Sequence, residues 1–239
     1  MNTAEEETGA HREVSLQIRP GNSRWGQFLV PAVGGTAAPY GSLAWSLNTD
    51  RAVFALEDPG LDGAPVTGRS LYDLALTYLR EVRRRQPEGP VVLLGWSVGG
   101  AVALEMARID QNAPLVVMLD TVQPDSTMAV NDDVLRRWLA EDVQQMGIQP
   151  TPELLEDRFP VFAANVSAFR EYEQAPVPAT RVVSLLSEDH DTPEAIGACE
   201  DRGWEVEVLA GNHYTMLQQP HVADVAATID ALVEEAIRS

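Results

Sequence analysis

The sequence predicts an α/β protein: a mostly parallel sheet with helices on both faces and a helical lid insertion. Three observations predict it. Short apolar, β-branched runs alternate with longer helical patterns, the signature of βαβ units. Runs such as residues 91–94 (VVLL) and 115–119 (LVVML) are apolar throughout, as strands covered on both faces must be. Between residues 121 and 179 the rhythm breaks into helical patterns alone, which places the insertion at about 125–178, above the strand ends.

The elements follow in order. Residues 13–18 (EVSLQI) alternate polar and apolar and read as an edge strand. Residues 27–30 (QFLV) and 52–56 (AVFAL) are compact apolar runs, with a short helix over 40–47 between them. Leu71, Leu74, Leu76, Leu79 and Val82 fall at helical spacing over 70–85, and Pro87 ends that helix. A strand over 91–94, a helix over 99–109 and a strand over 115–119 come next. The insertion carries helical patterns over 134–146 and 158–173. Residues 181–186 (strand), 193–201 (helix), 205–209 (strand) and 221–238 (helix) complete the alternation.

Composition bounds the function. The 239 residues suit one domain, expected over 13–239, after an acidic tail over 1–12 expected to be disordered. A formal net charge of −19 repels polyphosphate, so nucleic acid is disfavoured as a partner. Residues 1–9 (MNTAEEETG) are acidic and lack the apolar core of a secretory signal. The longest apolar runs are about five residues where a membrane helix needs about 20, so no membrane partner is expected. Cys199 is the sole cysteine, which excludes an intramolecular disulfide and a cysteine-cluster metal site and fits the reducing cytoplasm.

The chemistry concentrates at GWSVG (Gly95, Trp96, Ser97, Val98, Gly99). The pentapeptide is weak alone, and a tight glycine turn between strand and helix would look the same. Here an apolar strand ends at Gly95 and a small-residue helix starts just after Ser97. That strand–turn–helix context suits a nucleophile elbow, with helix N–H groups behind it where an oxyanion would form. A serine needs a base. Of His11, His190, His213 and His221, His213 lies in the loop after the last strand, on the rim the elbow faces. The third member must be an acid between Ser97 and His213 at a strand end. Asp120 ends the strand over 115–119, while Asp189 and Asp191 follow the strand over 181–186, and geometry alone leaves these open. The loop PAVGGT after residues 27–30 offers backbone N–H groups of Val33 or Gly34 to pair with that of Val98 as an oxyanion hole.

Together these motifs resemble the thioesterase domains that terminate nonribosomal peptide and polyketide synthases, within the α/β-hydrolase superfamily. The resemblance runs through PAVGGTAAPYGSLAWSL (31–47), VFALEDPGL (53–61), GWSVGGAVALEMA (95–107), VVMLD (116–120) and GNHYTML (211–217). It implies an α/β-hydrolase fold, Asp120 as the acid, and a triad of Ser97, Asp120 and His213 with Val33 and Val98 as oxyanion donors. Trp96 stands where separate editing thioesterases usually carry His, which favours the synthase-terminating class.

The implied substrate is an acyl, peptidyl or polyketide chain on the phosphopantetheine of an acyl or peptidyl carrier protein. Release would be by water or by a nucleophile of the chain itself, closing a macrocycle. No metal and no bound cofactor is implied. An editing thioesterase, a small-molecule carboxylesterase and a non-catalytic acyl-binding module are the alternatives. Arg80, Arg83, Arg84 and Arg85 form the dense basic cluster, a candidate carrier contact or simply a helix end complementing its dipole.

Overall fold

The computed structural model describes residues 14–23, 25–122, 129–177 and 180–238. The expected tail over 1–12 lies outside them. Seven strands form one sheet in the order β1-β3-β2-β4-β5-β6-β7. They are β1 (Ser15–Arg19), β2 (Gln27–Val30), β3 (Val53–Leu56), β4 (Val92–Trp96), β5 (Leu115–Leu119), β6 (Arg181–Ser187) and β7 (Glu205–Leu209). Only β1 runs antiparallel, against β3; all the other pairings are parallel. In β1 only Ser15 is buried, which matches an edge position, whereas β2, β3, β4 and β5 are buried at every residue.

The helices are α1 (Gly41–Ser46), α2 (Leu71–Arg85), α3 (Val98–Asp110), α4 (Asp132–Gln145), α5 (Pro152–Arg170), α6 (Pro193–Glu200) and α7 (Val222–Arg238). Successive side chains of a strand point to opposite faces. In β4, Val92, Leu94 and Trp96 join a core with Leu43 of α1 and Val225 and Ile229 of α7. Leu93 joins the opposite core with Leu74 and Tyr78 of α2 and Val102 and Met106 of α3. This two-sided cover is the arrangement the sequence predicts.

Local chemistry sets the helix ends. Ser70 and Asp73 form a reciprocal capping box at the start of α2. Asn131 caps α4 and Thr151 caps α5, each accepting from the backbone N–H three residues on. The Thr151 cap, with Pro152 in the first turn, starts α5 six residues before the expected 158, and Pro160 is accommodated inside it. The connection between β5 and β6 thus carries α4 and α5. They pack on each other through Leu139, Val143 and Phe162.

The parallel strands all end on one edge, which gathers the ends of β4, β5, β6 and β7. The arginine cluster sits at the opposite edge, where α2 ends and β4 begins. Arg83 pairs with Asp110, Arg84 with Glu81, and Arg85 with Glu81 and Ser15.

Candidate active site

Ser97 sits at the turn between β4 and α3 with φ 56° and ψ −128°, a backbone conformation that L-residues rarely hold. Its backbone is held from three directions. The N–H donates to Leu119 O (2.8 Å), and the carbonyl accepts from Thr121 Oγ1 (2.7 Å) and Gly100 N (3.0 Å). Glycines make the turn possible. A β-carbon on Gly95 would lie 2.1 Å from Gly99 O, and one on Gly99 would lie 2.2 Å from Val30 O. Tyr40 braces the strand below: its O–H donates to Val30 O (2.5 Å) and its oxygen accepts from Trp96 N (2.8 Å).

His213 lies in the loop after β7. Asn212 shapes that loop, its Oδ1 accepting from Tyr214 N (3.0 Å) and Thr215 N (2.8 Å). Glu188 ties it to the end of β6, its N–H donating to Gly211 O (2.9 Å) and its carboxylate accepting from Gly211 N (3.0 Å). The His213 ring places Nδ1 2.6 Å from Asp120 Oδ2.

Asp120 follows β5 at φ 51°, with its N–H on Leu185 O (2.8 Å) and its carboxylate fully buried. Ser187 N donates to Oδ1 (2.7 Å), and His190 Nδ1 lies 2.9 Å from Oδ2. Burial opposes ionisation, but the His213, Ser187 and His190 hydrogen bonds outweigh it and bring Asp120 down to about 2. The carboxylate is therefore ionised throughout the physiological range.

The competing acids are placed differently. Asp189 reaches the backbone N–H of His213 at 3.5 Å, not its ring, and Asp191 ends the short turn that holds His190. The structure thus brings Asp120, not Asp189 or Asp191, onto the imidazole. Among the described residues, Asp120, His190 and His213 also form a group whose possible ligand atoms lie within 4.8 Å of one another.

Ser97, Val98, Val33 and His213 line one cavity of about 270 Å³. Val98 is the first residue of α3, so its N–H belongs to the helix N-terminus behind Ser97. A buried network that sequence reasoning misses ties Val33's loop to α5. Asn165 Nδ2 donates to Val33 O (2.9 Å) and to Asp58 Oδ2 (3.2 Å), while Arg69 donates to Asn165 Oδ1 (2.6 Å) and to both Asp58 oxygens. A second cavity of about 820 Å³ shares Tyr214 with the first and is lined also by Trp96, Trp45 and Ile148.

Comparisons with known proteins place the chain in a family. The thioesterase domain family matches residues 28–235. The non-reducing polyketide synthase terA of Aspergillus terreus is 27% identical over 241 residues, covering 86% of this chain and 11% of the synthase. The thioesterase pytI of Aspergillus terreus is 38% identical over 127 residues, 46% of this chain and 41% of that protein. The chain therefore spans about a tenth of the length of that synthase and under half of that thioesterase. Among solved structures, the NocB thioesterase domain in covalent complex with a fluorophosphonate nocardicin G analog superposes with a TM-score of 0.72 at 26% identity, covering 87% of this chain and 94% of that one. With a family match over most of its length and an α/β-hydrolase sheet beneath it, the chain belongs to the thioesterase domain family.

Proposed function

We propose that this thioesterase releases an acyl, peptidyl or polyketide chain from the phosphopantetheine thioester of a carrier protein through an acyl-enzyme on Ser97. One observation carries the reading: His213 is bound through Nδ1 to the buried, ionised Asp120, and it shares a cavity wall with Ser97.

In this reading Asp120 holds His213 with its proton on Nδ1, leaving Nε2 to act as base. Ser97 Oγ attacks the thioester carbonyl while its proton passes to Nε2. The N–H groups of Val33 and Val98 hold the oxyanion that forms. Collapse of the tetrahedral intermediate breaks the C–S bond, and the leaving thiolate takes the proton from His213. Water, or a hydroxyl or amine of the chain itself, then attacks the ester with Nε2 again as base. The product leaves and Ser97 regains its proton. The first acceptor hydrolyses the chain and the second closes a ring.

The residues perform every proton transfer, so the reading calls for no metal ion or bound cofactor. Both Asp120 oxygens already accept N–H groups, which leaves the carboxylate engaged in its positioning role. The carrier protein is the partner, and the rim bearing the two cavities is where its arm would arrive, since the arginine cluster lies at the other edge. The test is labelling with a fluorophosphonate, followed by peptide mapping. Modification at Ser97 that is lost in His213→Ala supports the reading; modification elsewhere, with Ser97 untouched, overturns it.

A further inference from the structure

We infer that Asp142 selects acyl chains carrying an ammonium group, receiving that group within the cavity that Ser97 and His213 share. The inference rests on the acyl-enzyme reading above and names a substrate class for the same site.

Asp142 belongs to the last turn of α4, so the insertion, not the sheet, brings it to the catalytic rim. It is 8% exposed, an acidic residue buried to the degree of a core side chain. Half of the cavity wall is apolar: Val33, Val98, Trp138, Phe162, Val166 and Phe169. A carboxylate in such a wall loses most of its hydration and is costly unless a partner compensates it. The compensation it has is slight. Tyr214 donates its O–H to Oδ1 at 3.2 Å, a neutral hydrogen bond.

The second oxygen, Oδ2, faces the oxyanion loop, where a β-carbon on Gly34 would lie 3.6 Å away. That is an ordinary contact distance, so this oxygen lies beside the loop that carries the proposed oxyanion donors. Burial raises the Asp142 carboxyl to about 6, against the opposing pull of Tyr214 and His213, so at neutral pH the site holds an anion short of positive charge. Among the described residues, the other charged or titratable groups on this cavity are Glu141 beside it on α4, Arg170 on α5, and His213 and Tyr214 in the loop after β7. A substrate ammonium would supply the missing charge at the moment of binding.

The cavity's volume of about 270 Å³ sits at the small end of ligand pockets, enough for a segment near the reacting carbonyl and not for a whole long chain. The ammonium is therefore expected a few bonds from the thioester carbon. The protein already stores the cost of burying Asp142, and the matching chain recovers it, which is a route to discrimination between otherwise similar acyl groups.

The test uses N-acetylcysteamine thioesters of straight acyl chains with an ammonium on the third to sixth carbon. Each is paired with isosteres that end in hydroxyl or methyl, and kcat/KM is measured at pH 7.5. The inference expects at least one ammonium chain to exceed its methyl isostere by tenfold or more. In wild type that ratio should collapse as pH falls below about 6, where Asp142 takes a proton. Asp142→Asn should abolish the ratio while still cleaving methyl chains.

Methyl chains that equal or exceed ammonium chains throughout would overturn the inference. So would hydroxyl chains that match ammonium chains, or an Asp142→Asn variant that slows every chain by one factor. The pH series in wild type needs no folded variant. Cleavage of the methyl chains and fluorophosphonate modification of Ser97 report separately on the acyl-enzyme reading: if they persist without an ammonium preference, this inference alone fails.

Discussion

The indole N–H of Trp96 donates to the carbonyl oxygen of His213 at 2.9 Å, and the two rings lie with centroids 5.0 Å apart. The residue before Ser97 thus ties down the loop that carries His213, across 117 positions of sequence. Tyr214 packs edge-on to Trp96 with centroids 5.8 Å apart, so the same indole also meets the cavity wall.

Trp96→Phe keeps an aromatic ring but deletes that hydrogen bond, leaving the buried side of the histidine loop without its donor. We expect kcat/KM on a carrier-bound acyl group to fall about fivefold, equivalent to the roughly 1 kcal/mol such a bond is worth. Steady-state kinetics beside a melting curve checks this. A variant with wild-type kinetics would show that the loop holds His213 without the indole.

The acid is ranked by exchange of carboxylate for amide. Asp120→Asn removes the charge that His213 and His190 share and perturbs the ring's tautomer, so turnover should drop by about 10³-fold or more. Asp189→Asn touches only a backbone N–H at 3.5 Å and should cost less than threefold. Parallel kinetics on both variants decides between them, and the reverse order would move the acid to Asp189.

Asn165→Ala strips donors and acceptors from three groups at once, the buried Asp58 and the partly buried Val33 O and Arg69. A loss of about 2–4 kcal/mol in unfolding free energy follows from leaving such groups short of partners. The loop with the proposed oxyanion donor loses its tie to α5, so kcat should fall beyond what the stability loss explains. Denaturant melts with kinetics at full folding separate the two effects.

Asp142 gives a pH test of stability. Its folded-state value is raised above the unfolded one by burial, so the native protein keeps a proton between about pH 4 and 6 that the unfolded chain has lost. Stability therefore falls as pH rises through that window. Asp142→Asn is neutral at every pH and should be more stable than wild type at pH 7.5 by about 2–3 kcal/mol, with the gap closing below pH 4. Melting curves at the two pH values check the sign. A residue kept at such a cost is one that function retains.

Much of the site was legible because its signals are local. The elbow announces itself through Gly95 and Gly99, whose β-carbons would collide with backbone, and His213 through its place just past a strand. Which carboxylate meets His213 was not legible from spacing, since Asp120, Asp189 and Asp191 all follow strands. What separates them is which carboxylate the chain turns toward the imidazole. Asp120 achieves this with φ 51°, a value no residue pattern announces.

No sequence pattern marks His190 as a partner, since residues 187–191 offer Asp189 and Asp191 as the candidate acids, yet the turn brings its ring onto Asp120. The tie from Asn165 to Val33 spans 132 positions and leaves no periodic trace. Asp142 hides in the polar pattern of α4, because burial by a neighbouring loop is a tertiary fact. The arginines read as a patch by proximity in sequence, whereas Glu81 and Asp110 engage three of them.

Rapid-quench intact-mass measurement with an acyl-loaded carrier protein observes the acyl-enzyme itself. A transient mass gain equal to the acyl group is expected, mapped to Ser97, decaying as free product accumulates and absent from Ser97→Ala. Product formed by Ser97→Ala at the wild-type rate, or an acyl group found on another residue, would contradict an acyl-enzyme on Ser97.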